Sequence, residues 1–143
     1  MSSDITVILT LFKTPKKNLH QLNQYKNFKV ILFDQASNLE NKKMIKKILK
    51  FDFKYFFSSR NLGLSKSSNF LLSKVKTKYC LFTQPDILIK NFSINNLKKI
   101  LKKDEKAIFV APKHLKKKIR INSQKTLDYK IVKKINAACL LCD

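Results

Sequence analysis

Residues Ser58 to Asn69 read "SSRNLGLSKSSN" and contain Gly63, the single glycine among 143 residues. A chain of this length ordinarily carries about ten, at ~7% usage. Glycine reaches positive φ cheaply and lets a second backbone or a ligand come close. A turn between a strand and a helix needs the first property, and a binding loop needs the second. The flanks frame the choice: "FDFKYFF" before the stretch reads as a strand, and Ser65 to Val75 after it reads as a helix. Strand, link and helix together form one unit of an α/β sheet.

The same unit recurs outward in both directions. "ITVILTLF" (Ile5 to Phe12) is nearly all apolar, as a strand buried on both faces is. "TPKKNLHQLNQY" follows as a helix with Thr14 as N-cap and Pro15 at its first position. "FKVILFD" is a second buried strand ending in Asp34, and Met44, Ile45, Ile48 and Leu49 then share one face of a lysine-rich helix. Beyond the glycine, "KYCLFT" is a fourth strand running into Gln84, Pro85 and Asp86. Ser93 is placed to cap a helix with Leu97, Ile100 and Leu101 as its stripe, and "AIFVAP" is a fifth strand. His114 to Lys134 reads as a basic loop or a hairpin, and "INAACLLC" as one more strand. Regular alternation of strand and helix predicts an α/β fold, a Rossmann-like, mainly parallel sheet flanked by helices, with residues 1–143 as one domain. Such sheets bind ligands beyond the carboxyl ends of their strands. That edge is expected to gather Thr10 to Lys13, Asp34 to Asn38, Arg60 to Gly63 and Thr83 to Asp86.

The formal charge is +22, which invites a nucleic-acid partner. Of 31 basic residues, however, only Arg60 and Arg120 are arginine, whereas phosphate and base recognition favours the guanidinium fork. The lysines read mainly as a solvated surface able to meet anionic ligands or an anionic membrane. No segment approaches the ~20 apolar residues that span a bilayer, and "MSSDITVILTLF" lacks a basic leader region. The protein is expected to be cytoplasmic, with peripheral contact at the inner membrane face as the membrane alternative. One glycine is too few for GxGxxG, for a P-loop or for a glycine-rich nucleotidyltransferase loop. His20 and His114 stand isolated. The "CLLC" of Cys139 and Cys142 has no second pair beside it and reads as buried small apolar residues.

In order and spacing, "TLFKTP", "VILFDQAS", "RNLGLSKSSN" and "YCLFTQPDILI" resemble the N-terminal half of family 2 glycosyltransferases of the GT-A nucleotide-diphospho-sugar transferase fold, closest to the rhamnosyltransferase-like branch. The resemblance implies a nucleotide-diphospho-sugar donor and a glycan or lipid-linked acceptor. It puts Thr10, Asp34, Arg60, Gly63, Asn69, Gln84 and Asp86 at the donor, with Asp34 recognising the base and Lys66 near the phosphates. Asp34 reads equally as a turn residue paired with Ser37. Asp86 matches the last position of the family's DxD motif, where a carboxylate holds Mg²⁺ or Mn²⁺ against the diphosphate. Gln84 stands at the motif's first position, a neutral oxygen donor in place of a carboxylate, and Phe12 and Lys13 replace a usual Tyr and Asn. "NAACLLCD" resembles the strand leading into the acceptor half, which supplies the general base. These residues are therefore expected to bind nucleotide, with Mg or Mn as cofactor, and not to glycosylate an acceptor unaided. No catalytic base is assigned. Two alternatives stand beside this reading: a basic nucleic-acid-binding α/β module, and a nucleotide-sugar-binding module without catalysis.

Overall fold

The computed structural model describes residues 4–89, 91–104, 107–112 and 139–143. The expected segment His114 to Lys134 and the first half of "INAACLLC" lie outside the described residues. Ile5–Phe12 forms the first strand, β1, and its Val7, Ile8 and Leu9 are wholly buried. A strand apolar on both faces has to be interior, and β1 lies between β2 (Lys29–Gln35) and β4 (Tyr79–Thr83). Both pairings are parallel, as is the pairing of β2 with β3 (Lys54–Ser58).

The sheet continues with β6 (Cys139–Cys142) and β5 (Phe109–Val110), giving the order β3-β2-β1-β4-β6-β5. β6 runs antiparallel to both its neighbours, so it is inserted between the fourth and fifth strands. Helices cover both faces, as expected. Leu19 of α1 (Lys16–Gln21), Ile45 of α2 (Leu39–Ile48), and Ile94, Leu97 and Leu101 of α4 (Asn91–Lys103) pack with Val7, Leu9, Leu32 and Leu81. Leu71 of α3 (Leu64–Leu72) packs on the other side with Ile8, Ile31 and Phe33.

Local chemistry moves several boundaries. Pro15, with φ −59° and ψ 146°, takes the cap position of α1, and the Thr14 hydroxyl accepts from Phe12 N at 3.2 Å rather than capping the helix. α1 stops at Gln21, and the chain continues as a 3₁₀ turn over Leu22–Tyr25. That turn presents two amides: Asn23 donates to Ile48 O and accepts from Lys50 N, and Gln24 reaches the segment after β4. Asn38 caps α2, its side chain accepting from Glu40 N and Asn41 N. Ser93 lies inside the first turn of α4 instead of capping it. α3 ends at Leu72, not Val75, and β3 begins at Lys54, not Phe51.

Gly63 is the residue from which α3 starts, with φ +77° and ψ 164°. This combination is essentially closed to any residue with a Cβ. Its N–H is held by Asn61 Oδ1 at 2.9 Å, and its carbonyl accepts from Ser67 N at 3.3 Å. A Cβ built there meets nothing within 4 Å, so the constraint is the backbone itself. Gly63→Ala is expected to cost about 1–3 kcal/mol of stability through strain alone. Urea unfolding measures it; a loss within the ~0.5 kcal/mol of an ordinary surface change contradicts the conformation.

Candidate functional site

The carboxyl ends of β1, β2 and β4 and the link into α3 enclose an open cleft of about 380 Å³. Thr10, Gly63, Gln84 and Asp86 line it, drawn from four well-separated parts of the sequence. Neutral amides join them: Asn18, Gln35 and Asn61. These amides also hold the walls. Gln35 Oε1 accepts from Leu62 N at 2.8 Å, which ties the link to the end of β2. Ala36 N donates to Arg60 O and Ser37 N to Ser58 O, so the exit from β2 and the exit from β3 form one bonded rim. Thr10 Oγ1 donates to the buried Ser67 Oγ at 3.2 Å, and the Ser67 hydroxyl turns back to Gly63 O and Leu64 O. β1 and α3 are thereby locked across the cleft floor.

The opposite wall is the turn after β4, closed by Ile87 N donating to Gln84 O at 3.1 Å. Gln24 supports it from behind, donating to Ile87 O at 2.9 Å and accepting from Ile89 N at 2.8 Å. Nothing in the sequence pattern marks Gln24, because its partners lie more than sixty positions away. Asn61 was legible in principle: an Asn two residues before a glycine is a familiar side-chain-to-backbone turn.

Asp34 is only 5% exposed and sits beside the cleft rather than in its lining. Its Oδ2 accepts from Ser37 Oγ at 2.6 Å and from Tyr55 OH at 2.8 Å. The turn pairing with Ser37 is thus present. Burial first, and then the adjacent Asp34 charge, push the Tyr55 phenol above its ordinary range, so the hydroxyl stays a donor. Asp34 also borders a recess of about 100 Å³ that shares Thr14 and Gln35 with the cleft. Arg60, Lys66 and Asn69 are exposed, and their side chains are not part of the described cleft lining.

Among the described lining residues the cleft carries one formal charge, the carboxylate of Asp86. Gln84 and Asp86 offer two oxygen donors on one turn, a set that suits a hard divalent cation. Among the described residues no group of three or more His, Cys, Asp or Glu could enclose a metal unaided. A cation here would take its remaining ligands from a bound anion and water. Four lysines gather elsewhere: Lys29, Lys54, Lys74 and Lys76 rim a separate groove of about 410 Å³ that also carries Asp52 and lies by the amino ends of β2 and β3. Among the described residues, no helix is long and apolar enough to cross a membrane.

This architecture recurs in solved structures. The mannosyltransferase PcManGT from Pyrobaculum calidifontis, in complex with GDP-Man and Mn²⁺, aligns with a TM-score of 0.62 and 15% identity, over 76% of this chain and 35% of that one. TarS from S. aureus, in complex with UDP-GlcNAc, gives 0.56 and 19%, over 72% and 32%. The 4-diphosphocytidyl-2C-methyl-D-erythritol synthase from Anaerococcus prevotii gives 0.61 and 14%, over 97% and 70%. At these identities the likeness is one of fold, the mainly parallel GT-A sheet flanked by helices. The chain spans about a third of the length of the two glycosyltransferases. No curated protein sequence matches it. Residues 10–137, the greater part of the chain, match the family described as Glycosyl transferase family 2, and the chain belongs to that family.

Proposed function

We propose that this chain holds a nucleotide-diphospho-sugar in the cleft at the carboxyl edge of its sheet, as the donor-binding part of a glycosyltransferase acting on a glycan or lipid-linked acceptor. The observation that carries the reading is the charge of the cleft. In a protein of net charge +22, the described cleft lining is neutral except for one acid, Asp86. A diphosphate alone would be repelled there, whereas a diphosphate carrying its own divalent cation is complementary.

In this reading Asp86 and the Gln84 amide hold Mg²⁺ or Mn²⁺ with the diphosphate. The cation, when bound, neutralises the diphosphate as it leaves the sugar. Thr10, Asn61 and the backbone around Gly63 position the donor between β1 and α3. Asp34, oriented by the Ser37 and Tyr55 hydroxyls, has lone pairs left to accept from a base edge. Arg60 and Asn69, exposed on either side of the link, complete the outer edge of the donor site. The lysine-rich surface suits an enzyme of cell-surface polysaccharide assembly that works against the anionic inner face of a membrane. The nucleic-acid alternative is less well supported, since the groove of Lys29, Lys54, Lys74 and Lys76 has one aromatic residue, Phe53, and no arginine among its described lining.

Titration calorimetry with GDP and UDP is expected to show binding strengthened about tenfold or more by Mn²⁺, equivalent to ~1.4 kcal/mol. Asp86→Asn should abolish most of that gain while raising the metal-free affinity, because the charge that repels the bare diphosphate is gone. Equal affinity in metal and in chelator overturns the metal role. Asp34→Asn should behave differently, weakening binding by about 1–3 kcal/mol in metal and chelator alike, because the lost contact is to the base. An Asp34→Asn effect confined to the metal-bound state contradicts that assignment.

A further inference from the structure

Three free thiols lie among the described residues: Cys80, Cys139 and Cys142. The CxxC spacing of the last two is misleading, because both lie on β6 and side chains along a strand alternate between faces. A separation of three turns them apart. Cys139 packs in the larger core with Leu81 and Leu141, whereas Cys142 packs on the α3 side with Ile8 and Leu71. Cys142 instead stands directly opposite Cys80 in the antiparallel β4–β6 ladder, on the same face and in the same apolar cluster. Its Sγ lies 3.4 Å from Cys80 O.

Directly paired antiparallel residues have Cα atoms about 4.5–5.5 Å apart, within the ~4.4–6.8 Å that a disulfide spans. The two thiols are also unlike. Cys80 is buried, and Cys142 is half-buried and reachable from solvent. The neighbouring Cys80 thiol draws Cys142 down to about 7 despite its burial, while Cys80 is pushed up by the same contact and by burial. One thiol is thus suited to attack and the other to resolve.

We infer that Cys80 and Cys142 form a reversible disulfide by exchange with a low-molecular-weight disulfide, clipping β6 to β4. The Cys142 thiolate attacks one sulfur of the small disulfide, forming a mixed disulfide and releasing one small thiolate. Cys80 then gives up its proton and attacks Cys142 Sγ, releasing the second small thiolate. The two protein thiols are oxidised to one disulfide, the small disulfide is reduced to two thiols, and the protons pass to the released thiolates.

The test is to incubate the reduced chain with oxidised glutathione, count thiols after denaturation and map the non-reduced digest by mass. The count is expected to fall from three to one, with the peptide of Cys80 joined to that of Cys142, and to return to three with dithiothreitol. Cys139→Ser should fall from two to none, and Cys142→Ser should form no internal link. A Cys139–Cys142 link, a glutathione adduct on Cys142 without an internal bond, a link between two chains, or three thiols persisting would each overturn the inference.

Discussion

Parallel pairing of β1 with both β2 and β4 is the constraint on which the rest depends. Parallel neighbours end at the same edge of the sheet, and each return must cross over through a helix. Residues near positions 10, 35, 61 and 85 therefore converge, although nothing local draws them together. The pairing is held by burial. Each fully buried Val, Ile or Leu of β1 contributes about 1.5–3 kcal/mol, whereas an exposed ion pair contributes ~0–1. Among the described residues, the pairs Lys98–Asp4, partly exposed, and Lys78–Asp143, exposed, are minor beside that core. A chain of +22 can thus hold this fold, since none of its described lysines is buried in that core.

Glycine scarcity sharpens the meaning of Gly63. Lys13 and Ala36 also adopt positive φ, +46° and +50°, at the exits of β1 and β2. Residues with a Cβ reach left-handed turns at roughly 1–2 kcal/mol each, a cost this core can absorb. Gly63 combines φ +77° with ψ 164°, where that alternative is closed. Two cleft-edge turns have been left to ordinary residues, and the third kept its glycine because its backbone leaves no substitute.

Much of this was legible in the sequence because the strands are apolar runs bounded by polar turns. β1, β2 and β4 needed no tertiary information, and the rule for open parallel sheets brought Thr10, Gly63, Gln84 and Asp86 to one edge. What escaped depends on partners distant in sequence. The insertion of β6 between β4 and β5 is a matter of pairing, which the periodicity of either strand does not encode. The amides of Gln24 and Gln35 and the Tyr55 hydroxyl act on backbone or carboxylate groups supplied by other elements. Arg60 and Asn69 share the link's sequence neighbourhood with Gly63, and both are exposed outside the described cleft lining. The "CLLC" spacing, read as small apolar residues, lies on a strand that turns Cys139 and Cys142 to opposite faces, and the opposition of Cys142 to Cys80 is again a matter of pairing.

The central claim is that a nucleoside diphosphate and its cation occupy the carboxyl edge of the sheet. Paramagnetic broadening of backbone amide signals by Mn²⁺ locates the cation directly. With GDP or UDP present, the account predicts strongest broadening at the amides of Gln84 and Asp86 and of Asn61 to Leu64, with far weaker broadening when the nucleotide is left out. Broadening centred on Lys29, Lys54 and Lys74 at the opposite edge, or the same pattern with and without nucleotide, would contradict it.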